Sequence, residues 1–113
     1  MESNNRTNHL NLDHIVRDIR GKEVLFGSTG EKLTLRTALI ESLSVQVQGL
    51  GEQIERADLA KKILTHNKEV MPVSGPTRAL LGTVLGAYPW PSIIIPNLLE
   101  QVDPERLEEL RAK

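Results

Sequence analysis

The sequence predicts an α+β domain in which an N-terminal β-hairpin or small meander precedes a bundle of four to five short helices. Three observations support this fold class. Extended segments separated by turns fill residues 12–34, capped helical segments fill residues 35–113, and 113 residues suit a single domain. We therefore expect a flexible polar tail over residues 1–9 and one α+β domain over residues 10–113.

The β-hairpin prediction depends on alternation and on glycine turns. Ile15, Arg17 and Ile19 can share one strand face, and the Arg-Gly-Lys sequence that follows is typical of a turn. Residues 23–26 favour a second strand and residues 31–34 a third. Residues 12–34 thus predict a hairpin or a small meander.

The helix predictions depend on start and stop residues. Thr34, Ser74 and Asp103 are typical N-cap residues, and a proline follows shortly after both Ser74 and Asp103. Gly82 and Gly86 are costly inside a helix, so we expect a neighbour to approach the backbone there. The predicted helices span residues 35–48, 52–66, 76–88, a segment after Pro91, and residues 105–113, with 68–73 as a connector.

Composition and charge exclude several function classes. Hydrophobic residues make up 39% of the chain but aromatic residues only 3%, so the core must be mainly aliphatic. Because cysteine is absent, disulfides, thiolate zinc sites and cysteine nucleophiles are excluded. The N-terminal residues have no apolar core of a signal peptide, and the longest apolar run is Ile93–Ile95. We expect a cytoplasmic location and no membrane partner.

Catalysis is not expected from the polar residues. No aspartate, glutamate or histidine lies at metal-ligand spacing on one helix face with His9, His14 or His66, and no serine lies in a Gly-x-Ser-x-Gly elbow. Two glycines, Gly27 and Gly30, suggest a phosphate loop, but the Gly-Lys-Ser/Thr ending is missing. The sequence therefore predicts a non-enzymatic protein without a cofactor or metal.

An apolar segment rich in proline is the best candidate for a protein interface. It contains the one tryptophan and the one tyrosine of the chain, and prolines hold both in extended backbone. Such aromatic residues are favoured interface anchors. The predicted contact residues are Tyr88, Trp90, Ile94, Ile95, Leu98 and Leu99. The sequence leaves open whether this segment covers the protein's own core, a partner, or both.

Binding of nucleic acid is the alternative function. The basic residues Arg17, Arg20, Lys22 and Arg36 lie on or just after the predicted hairpin. However, acidic residues alternate with them, and the formal net charge of the chain is −1. We therefore expect at most an accessory nucleic-acid contact through these four residues.

The order of the segments resembles a group of small proteins encoded by bacteriophages and prophages. The resemblance covers residues 15–102 and rests on LTLRTALIESL, GEQIERADLAKKIL and GAYPWPSIIIPNLLEQ. It implies a phage context, hence a role in virion assembly or binding of a host protein, and a location in the host cytoplasm or on the virion. Together with the apolar segment, it leads us to expect a self-associating interaction protein.

Overall fold

The computed structural model describes residues 9–28, 30–45 and 47–112. Within these ranges, five helices and four short strands confirm the α+β fold class. The strands are β1 (His9–Asn11), β2 (Leu25–Phe26), β3 (Glu31–Lys32) and β4 (Val70–Pro72). The helices are α1 (Leu35–Leu43), α2 (Leu50–Thr65), α3 (Gly75–Ala87), α4 (Ile95–Val102) and α5 (Pro104–Arg111).

The N-terminal region is a small meander. β2 pairs antiparallel with β3, and Leu25 lies opposite Lys32. The segment before β2 joins them through Val16, whose N–H donates to the Leu33 carbonyl at 2.8 Å and whose carbonyl accepts from the Val24 N–H at 2.9 Å. The turn before β2 contains Gly21 with a φ of 82°, a conformation that favours glycine.

A second pair of strands was not predicted. β1 pairs antiparallel with β4, so that Leu10 lies opposite Met71, and both side chains are buried. The predicted connector over residues 68–73 therefore contains a strand, and the predicted all-helical region after residue 34 is interrupted by it. His9, predicted to belong to the tail, begins β1, whereas residues 1–8 of that tail lie outside the described residues.

The predicted N-caps are confirmed. The side-chain oxygens of Thr34, Ser74 and Asp103 each accept a hydrogen bond from the backbone N–H three residues later. The helix limits differ from the predicted ones, most at the C-terminal end of α1. α1 ends at Leu43, and α2 begins at Leu50 because the Gly49 carbonyl already accepts from the Gln53 N–H at 2.9 Å.

The core lies where α1, α3 and α4 meet the meander and β1. Its largest fully buried side chains are aliphatic: Leu10, Leu12, Leu33, Leu35, Leu39, Ile63, Leu81, Leu85 and Leu98. Gly82 is buried, and the Asp103 side chain lies 3.5 Å from the point that a β-carbon on Gly82 would occupy, so a neighbour contacts the backbone there but leaves ordinary van der Waals room for a β-carbon. Gly86 is exposed and faces open space, so that part of the expectation was wrong.

Candidate interaction surface

The proline segment, residues 88–99, lies against the body of the protein. Trp90 is 9% exposed, and its Nε1 donates a 2.8 Å hydrogen bond to Oγ of Ser42 on α1. Its ring lies 4.5 Å from the Tyr88 ring and 6.1 Å from the Phe26 ring, measured between centroids. This tryptophan thus joins the segment to both the helices and the meander.

The other predicted interface residues in the proline segment also face inward. Ile94, Leu98 and Leu99 are buried, and Tyr88 and Ile95 are half-buried against the core. In this conformation, four of the six predicted contact residues are therefore enclosed by the chain itself. A partner could reach Trp90, Ile94, Leu98 and Leu99 only if the segment moved away from the core.

Three of the four basic residues considered for nucleic acid contact oxygens of the protein itself. Arg17 donates to the Gly21 carbonyl and to Glu23, and Arg20 donates twice to Asp18. Lys22, which follows Arg20 and Gly21, is exposed. The guanidinium groups of Arg17 and Arg20 thus have local anionic or carbonyl partners, which weakens a contribution to phosphate binding.

Arg36 has a structural role at the C-terminal end of α2. Its Nη1 donates to the carbonyls of Ile63 and His66, both at 2.6 Å. The last carbonyls of a helix have no partner within the helix and carry partial negative charge. Arg36 supplies that partner and also forms a 3.6 Å ion pair with Asp13, so it stabilises the α1–α2 contact.

Cationic neighbours lower the pKa of two carboxyl groups in the meander. The hydrogen bond from Arg20 is the main cause that lowers the pKa of Asp18, and backbone N–H groups of Arg20 and Lys22 contribute. The hydrogen bond from Lys32 similarly lowers the pKa of Glu23. These hydrogen bonds therefore favour the ionised form of Asp18 and of Glu23.

A shallow groove separates the meander from the proline segment. It has a volume of about 440 Å³, and Leu25, Tyr88, Pro89 and Ile93 are among its lining residues. Leu25 is exposed, and so is Ile93, the one isoleucine of the triplet that faces solvent. This groove is the remaining exposed face of the predicted interface.

A second exposed apolar surface lies on α2. This helix has sixteen residues, packs chiefly against α1, and fully buries only Ile63. Three of its large aliphatic side chains, Leu50, Ile54 and Leu64, are 76%, 60% and 62% exposed. Scattered apolar residues are common on surfaces, but a contiguous set indicates a contact site.

The exposed residues of α2 form a single stripe. We define the α2 stripe by its five residues, which are alternately four and three positions apart: Leu50, Ile54, Ala57, Lys61 and Leu64. With 3.6 residues per turn, this spacing keeps all five on one side of the helix. The α2 stripe therefore presents one continuous, mainly apolar face to solvent.

A groove of about 590 Å³ between α1 and α2 borders the stripe. Its lining includes Leu43 at the end of α1, Val45 just after that helix, and Ala57, Lys61 and Leu64 from the stripe. A partner on the stripe would also cover part of this groove. The two features together give α2 an apolar face that adjoins a groove.

Sequence reasoning missed the α2 stripe. The apolar residues of this helix form one broad arc in projection, because Ala60, Ile63 and Leu59 continue from one edge of the stripe around to the opposite side of the helix. The structure divides that arc, since Ile63 packs inward and Ile54 and Leu64 point outward. The alternating four- and three-residue spacing, typical of helix pairing, is the pattern that identifies the stripe.

No three histidine or acidic side chains within residues 9–28, 30–45 and 47–112 gather as metal ligands would. Over the same ranges, every helix is too short or too polar to cross a membrane. Comparison with known proteins found no matching family model, no matching curated protein and no matching solved structure.

Proposed function

We propose that this chain is a non-enzymatic interaction protein that self-associates through α2. The observation that supports the proposal is the exposure of Leu50, Ile54 and Leu64 on one side of the longest helix. Covering such side chains removes apolar area from water, at about 25 cal/mol per Å². Because the stripe residues need no rearrangement to become accessible, α2 is a better contact surface than the enclosed part of the proline segment.

The resemblance to phage and prophage proteins supports a phage context for this function. There, the protein would act in virion assembly or by binding a host protein, in the host cytoplasm or on the virion. Self-association is compatible with either role. An oligomer presents several copies of the same binding surface, which can contact a repeating particle or bind one target more tightly than a single copy.

The test is the mass of the protein in solution at several concentrations, by sedimentation or light scattering. Self-association through α2 predicts a mass above 12.6 kDa that rises with concentration. It also predicts that Ile54→Glu returns the protein to the monomer mass, because pairing would bury the new carboxylate. A monomer at every concentration would overturn the proposal.

Nucleic-acid binding remains the alternative prediction, and the internal contacts of Arg17, Arg20 and Arg36 count against it. Titration with a labelled oligonucleotide at increasing salt separates the two functions. Phosphate contacts weaken steeply as salt rises, whereas apolar association persists.

A further inference from the structure

We infer that α5 is a flap that undocks and unwinds as a unit while the rest of the protein stays folded. None of the eight residues of this helix is buried, and the helix packs chiefly against α4, the element that precedes it in the chain. Segments with few buried apolar contacts are the ones that open locally in native proteins. The inference does not depend on self-association through α2.

A single residue, Asp103, joins α4 to α5 and serves as the hinge. Its backbone N–H donates to the Leu99 carbonyl at 2.7 Å and completes α4, whereas its side chain accepts from the Arg106 N–H and begins α5. Pro104 follows the hinge, and a proline has no N–H with which to continue α4. The flap can therefore leave its place without breaking the hydrogen bonds of α4.

Arg78 on α3 holds both the hinge and the flap. Its Nη1 donates to Oδ1 of Asp103 at 3.0 Å and to Oε1 of Glu105, in the first turn of α5, at 3.4 Å. The side chains of Arg78 and Asp103 are largely enclosed, but that of Glu105 is 52% exposed. A charge pair exposed to water contributes little to stability. The bond to Asp103 thus fixes the hinge, and the weaker bond to Glu105 is the latch that breaks when the flap opens.

The closed flap forms one wall of a cavity of about 280 Å³. Leu107 and Arg111, about one helical turn apart, line the cavity from α5. Ile19 of the meander and Ile93 and Pro96 of the proline segment line it from the other side. Opening of the flap removes the α5 wall, so the flap controls access to this face of the proline segment.

Opening has to unwind α5, because a helix of eight residues is not stable in water by itself. The amides from Leu107 to Ala112 then become accessible to solvent in the same event. Fraying of the helix from its C-terminal end instead leaves Ala112 the least protected and Leu107 the most protected. Hydrogen exchange of single amides distinguishes these two kinds of motion.

The test is hydrogen exchange of the full natural chain, followed amide by amide by NMR. We expect the amides from Leu107 to Ala112 to share one protection factor, at least about tenfold lower than that of the interior amides of α4. Protection equal to that of α4 would overturn the inference. A gradual fall in protection from Leu107 to Ala112 would also overturn it, because the helix would then fray and not open as a unit.

Removal of the latch provides a second test. Glu105→Gln should lower the protection of all α5 amides several-fold and leave α4 unchanged. Glu109→Gln is the matched control, because it removes the same charge from α5 but breaks only a 3.9 Å pair with Arg106 inside the helix. Equal effects of the two variants would contradict the latch, and an equal loss of protection in α4 would show that α5 is not a separate unit.

A double substitution separates the latch from the helix dipole, which also favours a carboxylate in the first turn of α5. In an Arg78→Gln background there is no latch to lose, so Glu105→Gln should have a smaller effect there than in the natural protein. An equal effect in both backgrounds would contradict the latch. A natural protein that is monomeric at every concentration would overturn self-association through α2 and leave the flap standing.

Discussion

The indole Nε1 of Trp90 donates a 2.8 Å hydrogen bond to Oγ of Ser42, which in turn donates to the Ala38 carbonyl at 2.8 Å. Ser42 is 1% exposed, so both polar groups are satisfied inside the core. This chain of hydrogen bonds fixes the proline segment to α1. It explains why an apolar segment between prolines has a defined place in the fold.

The first prediction concerns the role of Trp90. Trp90→Ala should destabilise the fold by about 3–5 kcal/mol, because it leaves a cavity beside Tyr88 and Phe26. Ser42→Ala should cost less, about 1–3 kcal/mol, because it leaves the indole N–H buried without an acceptor. Urea unfolding measures both. A Trp90→Ala protein with unchanged unfolding but a lower oligomer mass would instead show that Trp90 acts between subunits.

The second prediction concerns Arg36, whose side chain is 19% exposed. Arg36→Ala should reduce the free energy of unfolding by about 2–3 kcal/mol, because the carbonyls of Ile63 and His66 lose a charged donor. Arg36→Lys should restore only part of it, since an ammonium group cannot reproduce the planar fork of the guanidinium.

Arg106→Ala is the matched control for Arg36→Ala. Arg106 also forms an ion pair, with Glu109, but the two side chains are 56% and 69% exposed. Exposed pairs contribute at most about 1 kcal/mol. Equal losses for the two variants in urea unfolding would show that Arg36 does not stabilise the end of α2 specifically.

The third prediction concerns acid. The pKa of Asp18 is lower in the folded protein than the ordinary value of about 4. Its contribution to stability is therefore complete above that ordinary value and is lost as pH falls through the lower folded pKa. Carboxyl chemical shifts in an NMR titration should show a low midpoint for Asp18, and Arg20→Ala should raise it. An unchanged midpoint in Arg20→Ala would contradict the assigned cause.

The fourth prediction compares two exposed glycines. Gly86→Ala should stabilise the protein by up to about 1 kcal/mol, because a helix favours alanine and nothing lies within 4 Å of the new methyl group. Gly21 has equally open surroundings but a φ of 82°, so Gly21→Ala should destabilise. Melting temperatures that move in the same direction for both variants would contradict this explanation.

Features that depend on neighbouring residues could be predicted from the sequence. The caps at Thr34, Ser74 and Asp103 each involve a backbone N–H three residues away, so local chemistry is sufficient to identify them. The meander was predictable for the same reason, because its strands follow one another closely and its turns contain glycine.

Features that join distant segments could not be predicted in this way. The pairing of Leu10 with Met71 joins two three-residue strands that are too short to show clear alternation. The partner of Trp90 is Ser42, and its sequence context gave no indication of a buried acceptor. An apolar pattern reveals which side chains avoid water, but not whether the same chain or another chain covers them.

The most direct test of self-association through α2 compares two variants with the natural protein by sedimentation across a range of concentrations. Ile54→Glu and Ile19→Glu introduce the same charge at isoleucines that are 60% and 70% exposed, one on the α2 stripe and one on the meander. We predict that the natural protein and Ile19→Glu rise above 12.6 kDa with concentration and that Ile54→Glu stays there. A natural protein that remains at 12.6 kDa, or an Ile54→Glu variant that associates as readily as the natural protein, would contradict the account.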